Sequence, residues 1–183
     1  MPRLTLTFLD ACAVVNLYAT RWMESILTSV GNPVAIADVV EQEAQFVYRG
    51  GTGDDARERE PVELQPLVAS GLLSVISTTD EEELLTFIDL TREIDEGEAM
   101  TVALAIHRGC IVVTDDRKAS RVLERRGVPR RSTLDVVKAW SERDAVQPDT
   151  LRGVLTDLRQ RGRYEPARSH PLRSWWGDAL DVP

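Results

Sequence analysis

Acidic residues recur at four well-separated places in this chain of 183 residues. Each place adjoins a short apolar run, the pattern of a strand end or a helix start in an alternating α/β protein. The acidic residues in question are Asp10, Glu41 with Glu43, Glu98, and Asp115 with Asp116. Because strand ends and helix starts meet at one edge of a sheet in such folds, we expect these side chains to gather there.

Carboxylates gathered in this way repel one another. Two unit charges about 4 Å apart cost roughly 4 kcal/mol at an effective dielectric constant near 20. A cluster of three or four therefore needs protonation or a divalent cation, and hard cations prefer oxygen ligands. The four acidic places together thus predict a metal-dependent site that acts on phosphate groups.

The order of apolar and β-prone runs predicts the elements that position these acids. A strand over residues 4–9 leads into a helix over residues 11–30, and a strand over residues 34–36 leads into a helix from 38 to about 48. Residues 50–60 are predicted to form a mobile loop. Further expected elements are a helical turn over 64–70, a strand over 72–76, a helix from about 78, a helix from 95 to 109, a strand over 111–114, and helices over 118–126, 133–143 and 148–161.

Such βα repeats with long crossovers require parallel neighbours and right-handed units. We therefore expect an α/β protein with a three-layer α/β/α sandwich and a mainly parallel sheet. We assign residues 1–160 to this domain and residues 161–183 to a C-terminal extension. Trp175 and Trp176 of the extension are expected to dock onto the domain, although such an aromatic pair also serves as a partner anchor or a base-stacking surface.

Charge is distributed unevenly along the chain. The net charge is −8, but residues 1–116 carry 7 Lys+Arg against 21 Asp+Glu, whereas residues 117–183 carry 15 against 9. The basic part begins directly after the last acidic place, with Arg117, Lys118 and Arg121. Beside an acidic pocket these residues are candidates to hold a phosphate backbone. A solvated helix face is the alternative explanation.

Composition sets further limits. A hydrophobic fraction of 43% and a charged fraction of 28% are typical of a globular domain. No apolar run approaches the roughly 20 residues of a membrane span, and the first ten residues do not resemble a secretory signal, so we expect a cytoplasmic protein. Cys12 and Cys110 follow no metal-ligand spacing and are predicted to be buried, reduced thiols. Two histidines, His107 and His170, are too few for a histidine-rich metal site.

In sequence the chain resembles the PIN-domain family of metal-dependent nucleases, which includes the VapC toxins of bacterial toxin–antitoxin pairs. The resemblance covers roughly residues 4–160. It rests on the order and spacing of residues 8–17 (FLDACAVVNL), 39–43 (VVEQE), 97–105 (GEAMTVALA) and 112–119 (VVTDDRKA). Residues 132–139 (STLDVVKA) further resemble a PIN subgroup with a Gly-Glu motif.

This resemblance implies a function and a set of site residues. Asp10, Glu43, Glu98 and Asp116 would be catalytic, with Asp115 sharing or replacing the role of Asp116, and Glu41 remains the alternative to Glu43. One or two Mg²⁺ or Mn²⁺ ions would be held by Asp10, Glu98, Asp115 and Asp116. Relatives often carry Ser or Thr where this chain has Ala11 and Cys12, so either Asn16 and Thr114 support the metal site instead or the chain binds metal more weakly than its relatives.

The resemblance therefore predicts an endoribonuclease that leaves a 5′-phosphate and a 3′-hydroxyl. It further predicts the toxin of a type II toxin–antitoxin pair, with a cognate antitoxin and a homodimer as expected assemblies. The alternative is a PIN-like scaffold that binds RNA or a protein with little or no catalysis. A receiver-type signalling domain also gathers acids at strand ends, but its acceptor aspartate and distant lysine are not arranged in that way here.

Overall fold

The computed structural model describes residues 6–51 and 54–181 and contains a five-stranded parallel sheet. Its strand order is β5-β2-β1-β6-β7, and a separate antiparallel ribbon joins β3 to β4. The strands are β1 (Thr7–Leu9), β2 (Val34–Ala37), β3 (Phe46–Tyr48), β4 (Arg59–Pro61), β5 (Ser74–Ile76), β6 (Ile111–Val113) and β7 (Arg130–Arg131).

Helices flank this sheet, so the three-layer α/β/α sandwich expected from the sequence is confirmed. They are α1 (Ala11–Ala19), α2 (Met23–Ser29), α3 (Asp38–Glu43), α4 (Gln65–Ala69), α5 (Glu81–Leu90), α6 (Glu96–Arg108), α7 (Arg117–Arg125), α8 (Thr133–Arg143), α9 (Pro148–Arg161) and α10 (Arg173–Asp181). A 3₁₀ turn covers Asp54–Arg57. Within the described residues, no helix is both long and apolar enough to cross a membrane.

The central strands β1 and β2 are buried along their whole length and, apart from Thr7, apolar, because helices cover the sheet. Phe8 and Leu9 of β1 and Ile36 of β2 are completely inaccessible to solvent. β1 lies between β2 and β6, with Leu9 in register with Val113. The residues that follow β1 and β6 therefore emerge side by side at the same edge of the sheet.

The long helix predicted over residues 11–30 is wrong, because the chain breaks between α1 and α2. The Thr20 hydroxyl donates to the Leu17 carbonyl and accepts the Trp22 N–H, and Arg21 has a φ of +62°. Such side-chain bonds to the backbone compete with helix continuation. The break turns α2 toward α8, where the Trp22 ring lies 5.7 Å from that of Trp140.

The helix predicted from residue 38 to about 48 is also wrong beyond Glu43. The chain re-enters an extended conformation as β3, whose aromatic and β-branched residues pair with β4. Part of the expected loop over residues 50–60 is thus ordered into the 3₁₀ turn and β4, while residues 52 and 53 lie outside the described residues. The two-residue strand β7 was missed because its exposed arginines carry no strand pattern.

The chain beyond residue 160 folds back onto the domain. Trp176 of α10 is buried, and its ring meets that of Tyr164 edge-on at 5.8 Å between centroids. Trp175 is partly buried against the same apolar core. The tryptophan pair therefore docks as expected, while the division into residues 1–160 and 161–183 stays a prediction.

Arg161 ties the end of α9 to the ribbon. Its side chain is only 2% exposed. The guanidinium donates to the carbonyls of Ala19 and Arg49 and pairs with the Glu60 carboxylate. A buried arginine of this kind stabilises only while all its partners remain in place.

We predict that Arg161→Met lowers the free energy of unfolding by about 3 kcal/mol, because two carbonyls and one carboxylate lose their donor. The measurement is urea denaturation. Arg159→Met, at an exposed position of the same helix, is the control and should change stability by less than about 0.5 kcal/mol. Equal effects of the two substitutions would contradict the role given to Arg161.

Candidate active site

Asp10 connects β1 to α1 and is almost completely buried, at 1% exposure. Its Oδ1 accepts the Ala13 N–H at 2.7 Å, which caps α1, and its own N–H donates to Val113 at 3.1 Å. Its Oδ2 is buried and has no hydrogen-bond partner among the described residues. A buried carboxylate oxygen without a partner is costly, so this atom is available to a ligand that the chain itself does not supply.

The electrostatics around Asp10 disfavour its ionised form. The pKa of Asp10 is raised to about 7, chiefly by burial and to a smaller extent by the carboxylates of Asp115 and Glu98, while the Thr114 hydroxyl and the Ala13 N–H lower it. Desolvation and like charges are the two causes that keep a carboxyl protonated near neutral pH. A bound cation would offset both effects, because it stabilises the ionised carboxylate.

Glu98 lies in the first turn of α6 and is half-buried. Its pKa is raised to about 7, first by burial and then by Asp116 and Asp95, with Glu43 adding a smaller effect. Perturbed carboxyls of this kind cluster at functional sites. Glu98 therefore belongs to the same electrostatic group as Asp10 and Asp116.

Glu43, the last residue of α3, is held beside the group of acids by a hydrogen bond from Gly97. Its Oε1 accepts the Gly97 N–H at 3.0 Å, and burial raises its pKa. A Cβ at position 97 would lie 2.0 Å from Oε2 of Glu43. The Gly-Glu pair in the sequence thus has a physical reason, because only glycine lets Glu43 approach the start of α6.

The two adjacent aspartates after β6 are held differently. Asp116 caps α7 through Oδ1, which accepts the N–H groups of Lys118 and Ala119 at 2.6 and 2.9 Å. Asp115 accepts from Asn16 Nδ2 at 2.9 Å, from the Thr133 N–H at 3.0 Å and from the Thr133 hydroxyl. Both oxygens of Asp115 are therefore satisfied by the protein.

The supporting residues named from the sequence fall into two groups. Asn16 is buried and holds Asp115, and the buried Thr114 hydroxyl accepts the Asp116 N–H at 3.1 Å. Glu41 instead turns away, accepts from Gln65 Nε2 at 3.0 Å, and lines a different cavity. The structure thus brings Glu43 to the acidic group and leaves Glu41 outside it.

Cys12 indicates how closely the acids surround one point. Desolvation, followed by the carboxylates of Asp10, Glu98, Asp115 and Asp116, raises the pKa of its thiol to about 12. Cys12 is exposed at the wall of the pocket, so its predicted burial is wrong, whereas Cys110 is buried as expected. The four carboxylates therefore all lie within electrostatic range of the Cys12 thiol.

We call this space the acidic pocket, a cavity of about 490 Å³. Its lining includes Cys12, Asn16, Glu43, Asp115 and Asp116 from the motifs, whereas Asp10 and Glu98 do not line it. Its remaining wall, Gly162 to Glu165, comes from the chain after α9. Sequence reasoning missed this wall because no motif marks it, and only the tryptophan pair indicated that the chain end returns to the domain.

The acidic pocket has the donor chemistry for a divalent cation without a complete cage. No three His, Cys, Asp or Glu side chains within residues 6–51 and 54–181 are grouped closely enough to hold a metal ion between them. The unpartnered Asp10 Oδ2 and the raised pKa of Glu98 nevertheless suit an ion that takes one or two carboxylates and keeps several waters, as Mg²⁺ does.

A Ser–His–Asp set also lies nearby, formed by Ser132, His170 and Asp135, but it is arranged for capping. The Ser132 hydroxyl donates to Asp135 Oδ2, and Ser132 and Asp135 form the capping box of α8. His170 Nδ1 accepts the Leu172 N–H, so its Nε2 carries the hydrogen that faces Ser132 at 3.1 Å. With no base to take its proton, Ser132 lacks the activation that a nucleophile needs.

Of the three basic candidates, two face a cavity. Arg117 and Arg121 line a second cavity that shares Asp115, Tyr164 and Glu165 with the acidic pocket. Lys118 is exposed and does not line it. The edge-strand residue Arg130 does line it; Arg130 belongs to the same basic run of the sequence but was not one of the three candidates.

Comparison with known families agrees with this geometry. The family model described as PIN domain matches residues 7–170. The chain therefore belongs to the PIN-domain family, whose members are generally nucleases and typically use divalent metal ions. Among curated proteins, none matches this chain.

We predict that Asp10→Asn stabilises the metal-free protein at high pH. An acid whose pKa is raised from 3.8 to about 7 binds its proton more tightly when folded, so its contribution to stability is full below about pH 4 and is lost as the pH rises to about 7. Raising the pKa from 3.8 to about 7 costs the ionised form about 4 kcal/mol, so the variant should gain up to about 4 kcal/mol in free energy of unfolding at pH 8 and almost nothing at pH 4. Urea denaturation in EDTA at both pH values measures this, since asparagine retains the helix cap.

The control for this experiment is Asp80→Asn. Asp80 caps α5 through Oδ1, which accepts the N–H groups of Glu82 and Glu83 at 3.0 Å, but it is exposed. Asp80→Asn should give no pH-dependent gain in the free energy of unfolding. A loss of stability in Asp10→Asn at pH 8 would contradict the buried-charge description of Asp10.

Proposed function

We propose that this PIN-domain protein is a metal-dependent endoribonuclease that hydrolyses RNA phosphodiester bonds. The observation that carries the proposal is the buried Asp10 carboxyl, whose Oδ2 has no partner in the described chain and whose pKa is raised to about 7 beside Glu98 and Asp115. Such a group is costly for the fold alone and suited to a cation.

In this proposal Asp10, Glu98 and Asp116 would share Mg²⁺ or Mn²⁺, one or two of them as direct ligands and the rest through water molecules on the ion. Asp115 is a weaker candidate for a ligand than the sequence indicated, because both of its oxygens already accept hydrogen bonds. When bound, the metal would lower the pKa of a bound water and neutralise charge on the phosphate oxygens. No side-chain nucleophile is required, which agrees with the capping role of Ser132.

The chain's own residues would prepare the site for that chemistry. Asn16 and Thr133 fix Asp115, and Gly97 fixes Glu43 next to Glu98. Arg117, Lys118 and Arg121 are proposed to attract the RNA backbone, and Arg117 and Arg121 line the second cavity. A rigid arrangement of this kind positions the phosphate without further reorganisation.

The biological role we propose is that of a cytoplasmic toxin in a type II toxin–antitoxin pair, assembled as a homodimer and masked by a cognate antitoxin. This rests on the resemblance to VapC toxins within the PIN family and is weaker than the argument from the site. A small neighbouring gene for a DNA-binding protein would support it. An isolated gene would favour a different physiological role for the same nuclease.

A second candidate is a PIN-like scaffold that binds RNA or a partner protein without cutting. Two observations favour it: Ala11 and Cys12 replace the hydroxyl residues that often follow the first aspartate in relatives, and the described residues contain no ready three-ligand group. Such a scaffold would bind RNA equally well with and without Mg²⁺.

We predict that the protein cleaves RNA in Mg²⁺ and that Asp10→Asn reduces the rate more than about 100-fold, since even partners of metal ligands change activity by about 10–100-fold. Single-turnover cleavage of a labelled RNA, with EDTA as the metal-free condition, measures this. Asp80→Asn should retain the rate. Wild-type protein that leaves RNA as intact as Asp10→Asn does would reject the nuclease proposal in favour of the scaffold.

We further predict that Gly97→Ala reduces cleavage by about 10–100-fold while changing stability by less than about 1 kcal/mol. The new methyl group displaces the end of the Glu43 side chain, which is free to move, and α6 gains helix propensity. The control is Gly153→Ala in α9, where a Cβ meets open space. If Gly97→Ala cleaved RNA at the wild-type rate, Glu43 would have no role that depends on its present position.

A further inference from the structure

The antiparallel ribbon of β3 and β4 carries two aromatic side chains that lie outside the apolar core. Val47 of β3 is completely buried, so its neighbours Phe46 and Tyr48 point to the opposite face of the ribbon, where both are partly exposed. Their rings meet edge-on at 5.8 Å between centroids, and neither ring packs against the core. Burial in the core therefore does not account for the aromatic residues at these two positions.

An exposed arginine lies over each of these rings. The guanidinium carbon of Arg59, from β4, is 4.0 Å from the centroid of the Phe46 ring, and that of Arg163 is 4.2 Å from the centroid of the Tyr48 ring. A guanidinium group held on a ring in this way is attracted by the ring face and leaves its other side open to solvent. We call the surface formed by Phe46, Tyr48, Arg59 and Arg163 the stacking face.

The two positive charges of the stacking face are not balanced by the glutamates of the ribbon. Side chains alternate between the two faces of a strand, so Glu58 and Glu60 lie on the opposite face. There Glu58 pairs with Arg49 at 2.6 Å, and Glu60 pairs with the buried Arg161 at 3.2 Å. Among the described residues, neither arginine of the stacking face lies within 4.0 Å of a carboxylate oxygen. The stacking face therefore favours an anionic ligand with flat groups.

Arg163 connects the stacking face to the acidic pocket. It lines that pocket together with Asp115 and Asp116, and its guanidinium group lies over Tyr48 of the ribbon. Its backbone has a φ of +56°, in the left-handed region that is unfavourable for a residue with a side chain. Such strained backbone positions cluster at functional sites. The conformation places Arg163 between the carboxylates of the acidic pocket and the aromatic rings of the ribbon.

We propose that the stacking face binds unpaired nucleotides of the RNA strand beside the acidic pocket, with their bases stacked on the guanidinium groups of Arg59 and Arg163. This rests on the proposed function and deepens it, because the substrate would be single-stranded next to the bond that is cut. Unstacked RNA bases bind to arginine planes as well as to aromatic rings. Within a duplex the faces of the bases are covered by their neighbours, so double-stranded RNA cannot occupy this surface in the same way.

Two features favour RNA over an acidic protein segment as the occupant. An acidic peptide would use only the charge of the stacking face, whereas a nucleotide matches both its charge, through the phosphate, and its flat groups, through the base. A strand on the stacking face also continues past Arg163 to Asp116, where the metal ion is proposed to act. Arg163 does not line the second cavity, so this subsite is separate from Arg117 and Arg121.

The test is the affinity of the full-length protein for a fluorescein-labelled oligoadenylate, measured by fluorescence anisotropy in EDTA so that the RNA is not cut. Arg59→Lys keeps the charge but removes the planar group, so it should weaken binding about tenfold, the loss expected for one stacked base. The slope of log affinity against log salt concentration should stay unchanged, because the number of cationic contacts is the same. A blunt-ended RNA duplex of equal length should bind equally to Arg59→Lys and to wild type.

Arg49→Lys is the matched control, because Arg49 lies on the opposite face of the same ribbon and is paired with Glu58. If Arg49→Lys weakened binding as much as Arg59→Lys, or if Arg59→Lys bound oligoadenylate as tightly as wild type, the subsite would be rejected. Equal losses of affinity for single strand and duplex would indicate backbone contacts and reject base stacking. Polyglutamate that competes as strongly as oligoadenylate, with the same dependence on Arg59, would assign the stacking face to a protein partner and likewise overturn the proposal.

The outcome separates this inference from the proposed function. Wild-type protein that cleaves RNA in Mg²⁺, while Arg59→Lys binds oligoadenylate as tightly as wild type, would reject the subsite alone. Binding of single-stranded RNA that depends on Arg59, by a protein that never cleaves RNA, would reject the nuclease proposal and leave the subsite supported.

Discussion

The site depends on one unfavourable interaction, the crowding of carboxylates at the end of β1 and β6. Asp10 is buried there with an unpartnered oxygen, and its pKa and that of Glu98 are both raised to about 7. A fold can tolerate such a cost where the charged form acquires a partner in function. The parallel register of Leu9 with Val113 makes the crowding unavoidable, because it brings the residues after both strands to the same point.

Asp115 organises the surroundings of this group. Through Asn16 and Thr133 it joins α1 to the start of α8, and it lies in the wall shared by the acidic pocket and the second cavity. The acidic and basic parts of the sequence meet at this place in the fold. Some arginines of the basic half form ion pairs, as Arg125 and Arg126 do, and others, such as Arg117 and Arg121, line the second cavity beside the acids.

Local sequence patterns correctly predicted the helices and strands whose bounds are set by residues within the element itself. The sandwich, the bounds of α8 and α9, and the end of α6 at Gly109, with its φ of +64°, follow from apolar periodicity and helix-ending glycine. The break at Thr20 and the strand β3 escaped prediction because side-chain bonds to the backbone and pairing with a distant strand decide them. The acidic set was likewise accessible from spacing, whereas the choice of Glu43 over Glu41 needed the contact with Gly97.

Titration calorimetry with Mn²⁺ tests the central claim most directly, because it detects the ion independently of any RNA. Wild-type protein at neutral pH should bind Mn²⁺, and Glu98→Gln should abolish that binding or weaken it about 100-fold or more, while Glu41→Gln, which alters an acid outside the pocket, leaves it unchanged. The absence of Mn²⁺ binding to wild-type protein, or equal binding by all three proteins, would contradict the account.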